Sequence, residues 1–261
     1  KHAYCLFSFF YLHLIIMTTD NRLWVALIAG VAFITGTFLL GNAYKYKFRQ
    51  QQTVLVTGLA ETNFESDLIV WDGSYNRQSF DMKSAYAQLK DDEKKIRTFL
   101  QSMGINDKEI AFSSVIINKD YVSETNERGG YTQRFNGYNL IQNVRIESSE
   151  VTKVESVYKD IAQLIDQGIE LNSSAPRYYY SKLKDVKIDL LAKASSDAKL
   201  RAETIAKNSD AGLGKLVKST MGIFQITGKN SDEDYSYGGS FNTSSKIKTA
   251  SITVRSEYQL K

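Results

Sequence analysis

The chain has 261 residues and a formal net charge of +4, from 33 basic and 29 acidic residues. Lys1, Arg22, Lys45, Lys47 and Arg49, set against Asp20, account for that excess, so residues 51–261 are formally neutral. They lack the basic footprint that a nucleic acid partner requires. The one cysteine, Cys5, and both histidines, His2 and His13, precede Met17. The rest of the chain therefore excludes a disulfide, a Cys/His dyad, a Ser-His-Asp triad and a thiolate or imidazole zinc site.

Residues 1–16 (KHAYCLFSFFYLHLII) are apolar and aromatic without a period. They read as an upstream extension of the reading frame; the competing reading, a second membrane segment, is short for that role. Met17 opens a short polar lead over residues 17–22, and a transmembrane signal anchor follows over residues 23–41. Its uncharged core, residues 23–40 (LWVALIAGVAFITGTFLL), covers roughly 27 Å as a helix, close to the thickness of a bilayer's hydrocarbon core. Leu23, Trp24, Phe33, Phe38 and Leu40 are the expected anchor residues. A basic linker over residues 42–50 carries Lys45, Lys47 and Arg49. Gly41-Asn42-Ala43 fits a small-x-small cleavage pattern, yet the apolar run exceeds the usual signal-peptide core and favours an uncleaved anchor. Three basic residues after the helix and one before it point the following domain toward the cytoplasm, although long domains often translocate against such counts.

Residues 51–261 read as one α+β body. Residues 53–61 (TVLVTGLAE) and 67–75 (DLIVWDGSY) are β-branched, apolar strands. Ser79 caps a helix to about Met103, with Met82, Ala85, Leu89, Ile96, Phe99, Leu100 and Met103 at helical spacing and Gly104 as its stop. A strand over 111–118, a polar turn (SETNERGG) and a long strand over 131–146 follow, the last burying Tyr138, Leu140, Val144 and Ile146 by alternation. Ser148 or Ser149 caps a second helix with Val151, Val154, Tyr158, Ile161 and Ile165 on one face, ended by Gly168. Residues 169–173 form a short strand, and Pro176 with Arg177-Tyr178-Tyr179-Tyr180 leads to a third helix, about 183–208. That helix is alanine-rich on one side (Ala194, Ala198, Ala202, Ala206), with Val186, Leu190 and Ile205. Residues 216–227 and 246–260 close the chain as strands, separated by the loop 228–245. The expected order is ββαββαβαββ, antiparallel sheet with packed helices, preceded by the transmembrane helix.

Val56-Thr57-Gly58 in the first strand, Met103-Gly104-Ile105 after the first helix, Ala198-Lys199-Leu200-Arg201-Ala202-Glu203-Thr204-Ile205-Ala206 in the third and Leu213-Gly214-Lys215-Leu216 behind it carry a resemblance. Over about residues 50–261 the chain resembles the SIMPL-domain family of bacterial envelope proteins. Met221-Gly222-Ile223-Phe224-Gln225-Ile226-Thr227 and Asn242-Thr243-Ser244-Ser245 are similar to a membrane-anchored branch of it. The resemblance implies export or anchoring in the inner membrane with a periplasmic body, ring- or channel-like oligomers in some members, and links to oxidative stress tolerance in others. It implies no enzymatic reaction and brings no catalytic residues.

Two aromatic groups stand out as candidate interfaces. The first is Tyr178, Tyr179 and Tyr180, since tyrosine is favoured at protein interfaces; the bland reading is a strand with one face in the core. The second is Tyr235 and Tyr237 beside Asp232, Glu233 and Asp234, in a loop that lacks calcium-ligand spacing and reads as solvated. No catalytic, cofactor or metal residues are expected. The expected function is a membrane-anchored oligomerising or partner-binding module, with the bilayer and further copies of the chain as partners. The alternatives are an envelope hydrolase with a carboxylate pair and a cytoplasm-facing membrane adaptor.

Overall fold

The computed structural model describes residues 19–47, 52–125 and 130–261, in two units, Lys1–Gln52 and Thr53–Lys261. The readings made for residues 1–16, Met17, Arg49 and the tip of the SETNERGG turn fall outside the described residues. In the first unit α1 (Thr19–Lys47) is a single helix of 29 residues, so the stretch carrying Lys45 continues the helix.

The second unit is α+β. Its elements are β1 (Thr53–Glu65), β2 (Leu68–Ser79), α2 (Met82–Ser102), β3 (Ile110–Phe112), β4 (Ile116–Thr125), β5 (Tyr131–Ser148), α3 (Val151–Asp160), β6 (Leu171–Ser173), β7 (Arg177–Tyr179), α4 (Leu183–Asn208), β8 (Leu213–Met221), β9 (Gln225–Gly228) and β10 (Ile247–Leu260). All strand pairings between these elements are antiparallel. In sheet A, β10 lies between β1 and the successive strands β8 and β9; in sheet B, the central pair β2 and β5 is flanked by β6 and β7 on one side and β3 and β4 on the other. The expected order is right in outline and too coarse in three places. Residues 111–118 divide into β3 and β4 and residues 216–227 into β8 and β9, and residues 177–179 form β7 against Leu68–Val70 of β2.

Each sheet buries one face under helices. In sheet B, Ile69, Trp71 and Tyr75 of β2 and Leu140, Val144 and Ile146 of β5 meet Ala85, Leu89, Ile96 and Leu100 of α2 and Val154 and Val157 of α3. The cap of α2 is Asp81 rather than Ser79: its carboxylate accepts from the Ser84 N–H at 2.9 Å, and Met82 is left exposed. Ser148 ends β5, and its hydroxyl donates to Glu109, so α3 starts at Val151 without a serine cap. Beyond Asp160 the chain tightens into a 3₁₀ turn over Ile161–Gln167. On the α-helical part the buried residues are Val151, Val154 and Val157, with Tyr158 outward, and in the 3₁₀ turn Leu164 is buried while Ile165 faces out.

Sheet A packs on α4. Val54, Val56, Ala60, Ala250, Ile252, Val254 and Tyr258 meet Leu190, Ala194, Ala198 and Ala202. The alanine row is the face the sequence marks; Ile205, a residue away from it, is exposed. The row is small because the backbones touch: at Gly58 a Cβ would lie 2.2 Å from the Ala194 carbonyl oxygen and 2.4 Å from the Ala198 nitrogen.

Candidate functional site

α1 is, among the described residues, the one helix long and apolar enough to cross a membrane. Leu23, Trp24, Phe33, Phe38 and Leu40 are all exposed on it. Two hydroxyls in its apolar core are satisfied inside the helix: Thr35 donates to the Val31 carbonyl at 2.8 Å and Thr37 to the Phe33 carbonyl at 2.6 Å. Hydroxyls paired this way lower the cost of placing threonine in hydrocarbon. The helix is a candidate membrane anchor, and a signal sequence has the same length and composition.

The tyrosine run lies along the junction of the two sheets. Tyr178, half-buried on β7, donates from its hydroxyl to Glu155 at 3.1 Å, and its backbone N–H donates to the Thr243 carbonyl at 2.7 Å. Burial, reinforced by Glu155, pushes its phenol up to about 12. Tyr180 stacks on Phe64 of β1 with ring centroids 4.9 Å apart, and Tyr179 is also half-buried. Tyr235 and Tyr237 lie elsewhere, exposed on the 228–245 loop.

The base of that loop is held by a polar cluster that joins Asn242 and Ser245 of the Asn242–Ser245 motif to Glu233 and Lys248. Asn242 is buried and donates to Glu233, while its side-chain oxygen accepts from the Ser245 N–H at 2.8 Å. Glu233 also accepts from the Gly228 N–H at 3.0 Å; these two hydrogen bonds hold its carboxyl below the usual range. Lys248 of β10, 1% exposed, donates to Asn242 and to the Ser245 carbonyl. Ser240 and Asn242 extend the edge of β9 through backbone hydrogen bonds to Ile226, and the acidic, aromatic tip of the loop is left to solvent.

Burial pushes the Lys248 ammonium down to about 8, against the opposing pull of Glu233. The unfolded chain holds that proton until about 10.5. Below pH 8 the group is charged in both states and its effect is constant; between 8 and 10.5 the unfolded chain binds more protons. The contribution of Lys248 to stability therefore rises with pH across that window. Urea unfolding of residues 53–261, followed through the buried Trp71, should show the wild type gaining on a Lys248→Met variant between pH 7.5 and 10. A difference that stays constant would contradict this.

Within the second unit, among the described residues, no helix packs on the opposite face of sheet A. Its alternate residues form a shallow trough of about 640 Å³ lined by Leu55, Thr57, Lys218, Thr220, Met221, Thr253, Arg255 and Glu257. The register sets Leu55, Glu257 and Lys218 in one row and Thr57, Arg255 and Thr220 in the next. The trough holds one carboxylate, Glu257, which accepts from the Thr53 hydroxyl at 2.8 Å. Beyond Thr253, Tyr235 and Tyr237 border a second hollow with Leu59 and Ile223.

The two edges of sheet A differ. On β1 the outward Leu59 N–H donates to the Asp197 carboxylate of α4 at 2.9 Å, which blocks that edge at its middle. The hydrogen bond is the main cause that lowers the Asp197 carboxyl. Among the described residues of this unit, nothing covers the β8 edge in this way. From Lys215 to Met221 every residue is exposed on both faces, including Leu216, Val217 and Met221, with Lys215 and Lys218 as the only charges.

Compared with known proteins, residues 54–259 match the model of the SIMPL family, described as "protein of unknown function (DUF541)". No curated protein matches the chain.

Proposed function

The chain belongs to the SIMPL family, and from that premise we propose that it is a membrane-anchored envelope protein that acts by self-association and not by catalysis. The observation that carries this reading is the β8 edge, nine residues long and exposed on both faces over most of its length. Such an edge is a template for another strand, and proteins that stay monomeric blunt or cover it. The blocked β1 edge shows the contrast: this chain covers one end of the sheet and leaves the other open. The single carboxylate of the trough supports the same reading, because carboxylate-dependent hydrolysis needs two that face each other.

We place α1 as an uncleaved single-pass anchor in the bacterial inner membrane with residues 53–261 on the periplasmic side, acting in envelope or oxidative stress tolerance, as the family resemblance implies. Lys45, Lys47 and Arg49 speak for the opposite side. A C-terminal reporter that works only outside the cytoplasm decides between them: activity is expected, and silence of that reporter with activity of a cytoplasmic one would make the chain a cytoplasm-facing adaptor. Self-association is read from the mass of the full-length chain in detergent. A mass above that of the monomer is expected, and a monomer at every concentration would sink the proposal.

A further inference from the structure

The open face of sheet A carries more than a solvated sheet needs. An antiparallel sheet with one wet face is expected to turn polar side chains to water. Here Leu55, Leu59, Met221 and Ile223 are exposed on that side, between 44% and 54%, and Tyr235 and Tyr237 rise beside them, Tyr237 at 99%. Tyrosine, methionine and arginine gathered around exposed leucines make the composition of an interface centre.

The charges on the same surface are unspent. Among the described residues, Lys218 and Arg255 in the trough form no ion pair, and the hydroxyls of Thr57, Thr220 and Thr253 have no hydrogen-bond partner. Asp232 and Asp234, at the exposed tip of the adjoining loop, are likewise without a cation. Glu233 between them is already engaged, by Asn242 and Gly228. One surface thus presents a trough whose two cations outnumber its one carboxylate, Glu257, and, at its border, an unpaired acidic and aromatic rim.

A surface that carries both halves of a complementary pair fits a second copy of itself. In a two-fold interface residue i of one copy meets residue j of the other, and j meets i, so both halves must be present on each copy. Resting on the self-association reading above, we propose that the open face of sheet A is a two-fold docking surface for a second copy of this chain. Asp232 and Asp234 of each copy pair with Lys218 and Arg255 of the other, and Tyr237 covers the leucines of the opposite β1. The loop stands at the Leu59 and Thr253 end of the face, so antiparallel placement of two copies sets each loop over the partner's Leu55 and Lys218 end. This surface shares Lys218, Thr220 and Met221 with β8 but uses the face of that strand and leaves its free backbone edge open, so a chain that uses both can extend beyond a dimer.

Charge reversal tests it in the full-length chain in detergent. Lys218→Glu with Arg255→Glu gives an acidic trough beside an acidic loop; Asp232→Lys with Asp234→Lys gives a basic loop beside a basic trough. The four side chains replaced lie at the surface, so both double variants should keep the wild-type circular dichroism and tryptophan fluorescence. Each alone should raise the dissociation constant of this contact at least tenfold. An equimolar mixture should recover it, because in the mixed pair both contacts are again between opposite charges. A Tyr237→Ala variant should weaken association in every background. If both double variants associate as the wild type does, or if the mixture fails to recover, the face is not the interface while self-association stands. If the wild type is a monomer throughout, the broader reading has failed and this one with it.

Discussion

Replacing Gly58 with alanine is expected to destabilise residues 53–261 more than the usual overpacking cost of about 1–3 kcal/mol. Overpacking is normally eased by rotating or shifting a side chain. At Gly58 the nearest atoms to a new Cβ are backbone, the Ala194 oxygen at 2.2 Å and the Ala198 nitrogen at 2.4 Å. Relief requires α4 to lift from the sheet, which opens the contacts of Val54, Val56, Ala60 and Tyr258 with the alanine row. Trimming the helix should not help: Ala198→Gly removes a methyl 2.8 Å away and leaves the two closer atoms in place. The measurement is the urea midpoint of the wild type, Gly58→Ala, and Gly58→Ala with Ala198→Gly. Rescue by the second substitution would show that side-chain crowding, not backbone approach, fixes the glycine.

Arg77 and Asp92 should give the other large effect, and an unequal one. Asp92 lies in the buried stripe of α2 with a side chain 3% exposed, where an apolar residue would ordinarily stand. It accepts from Arg77 at 2.5 and 2.9 Å, and the same guanidinium donates to the Gly168 carbonyl at 2.6 Å. The pair thereby ties β2 and α2 to the left-handed end of the 3₁₀ turn. Breaking a buried pair from one side costs roughly 3–5 kcal/mol, chiefly through the charge left behind. Arg77 keeps 30% exposure and can turn to water, so Asp92→Ala should fall below that range. Asp92 cannot turn to water, so Arg77→Met should cost more. Equal losses, or a larger loss for Asp92→Ala, would mean that the buried carboxylate is not the costly member.

These two positions show what is legible in the sequence and what is not. The alanine row of α4 is visible as small residues four apart, and its period places the helix on a sheet. The partner of that row is Gly58, 136 positions before Ala194 in the chain, and nothing local marks it as a close approach. Asp92 fits the helical period of α2 and is passed over because it is charged; its burial depends on Arg77 from another element. On α3 both Val157 and Tyr158 fit an apolar face by spacing, and the contact with sheet B that buries Val157 and leaves Tyr158 outward is not written locally. For the same reason β8 and β9 read as one strand: the break at Gly222 is set by the approach of Thr253, whose hydroxyl would lie 2.5 Å from a Cβ there.

The candidate site divides in the same way. Tyr235 and Tyr237 stand out in the sequence because aromatic residues interrupt a run of small and acidic ones. The trough they border is assembled from β1, β8 and β10, and only the register brings Arg255 beside Thr57 and Thr220. Lys248 reads in the sequence as one more surface lysine; its burial comes from the loop folding over it. The anchor needs no such assembly, because its information is local: an uncharged run, a length, and hydroxyls that bond within the helix.

Self-association of an anchored chain is the claim on which the functional account rests, and light scattering of the full-length protein in detergent, corrected for the micelle, tests it most directly. Across a wide range of concentration the account predicts a protein mass that is a multiple of the monomer and falls only at high dilution. A protein mass equal to one chain at every concentration would contradict it.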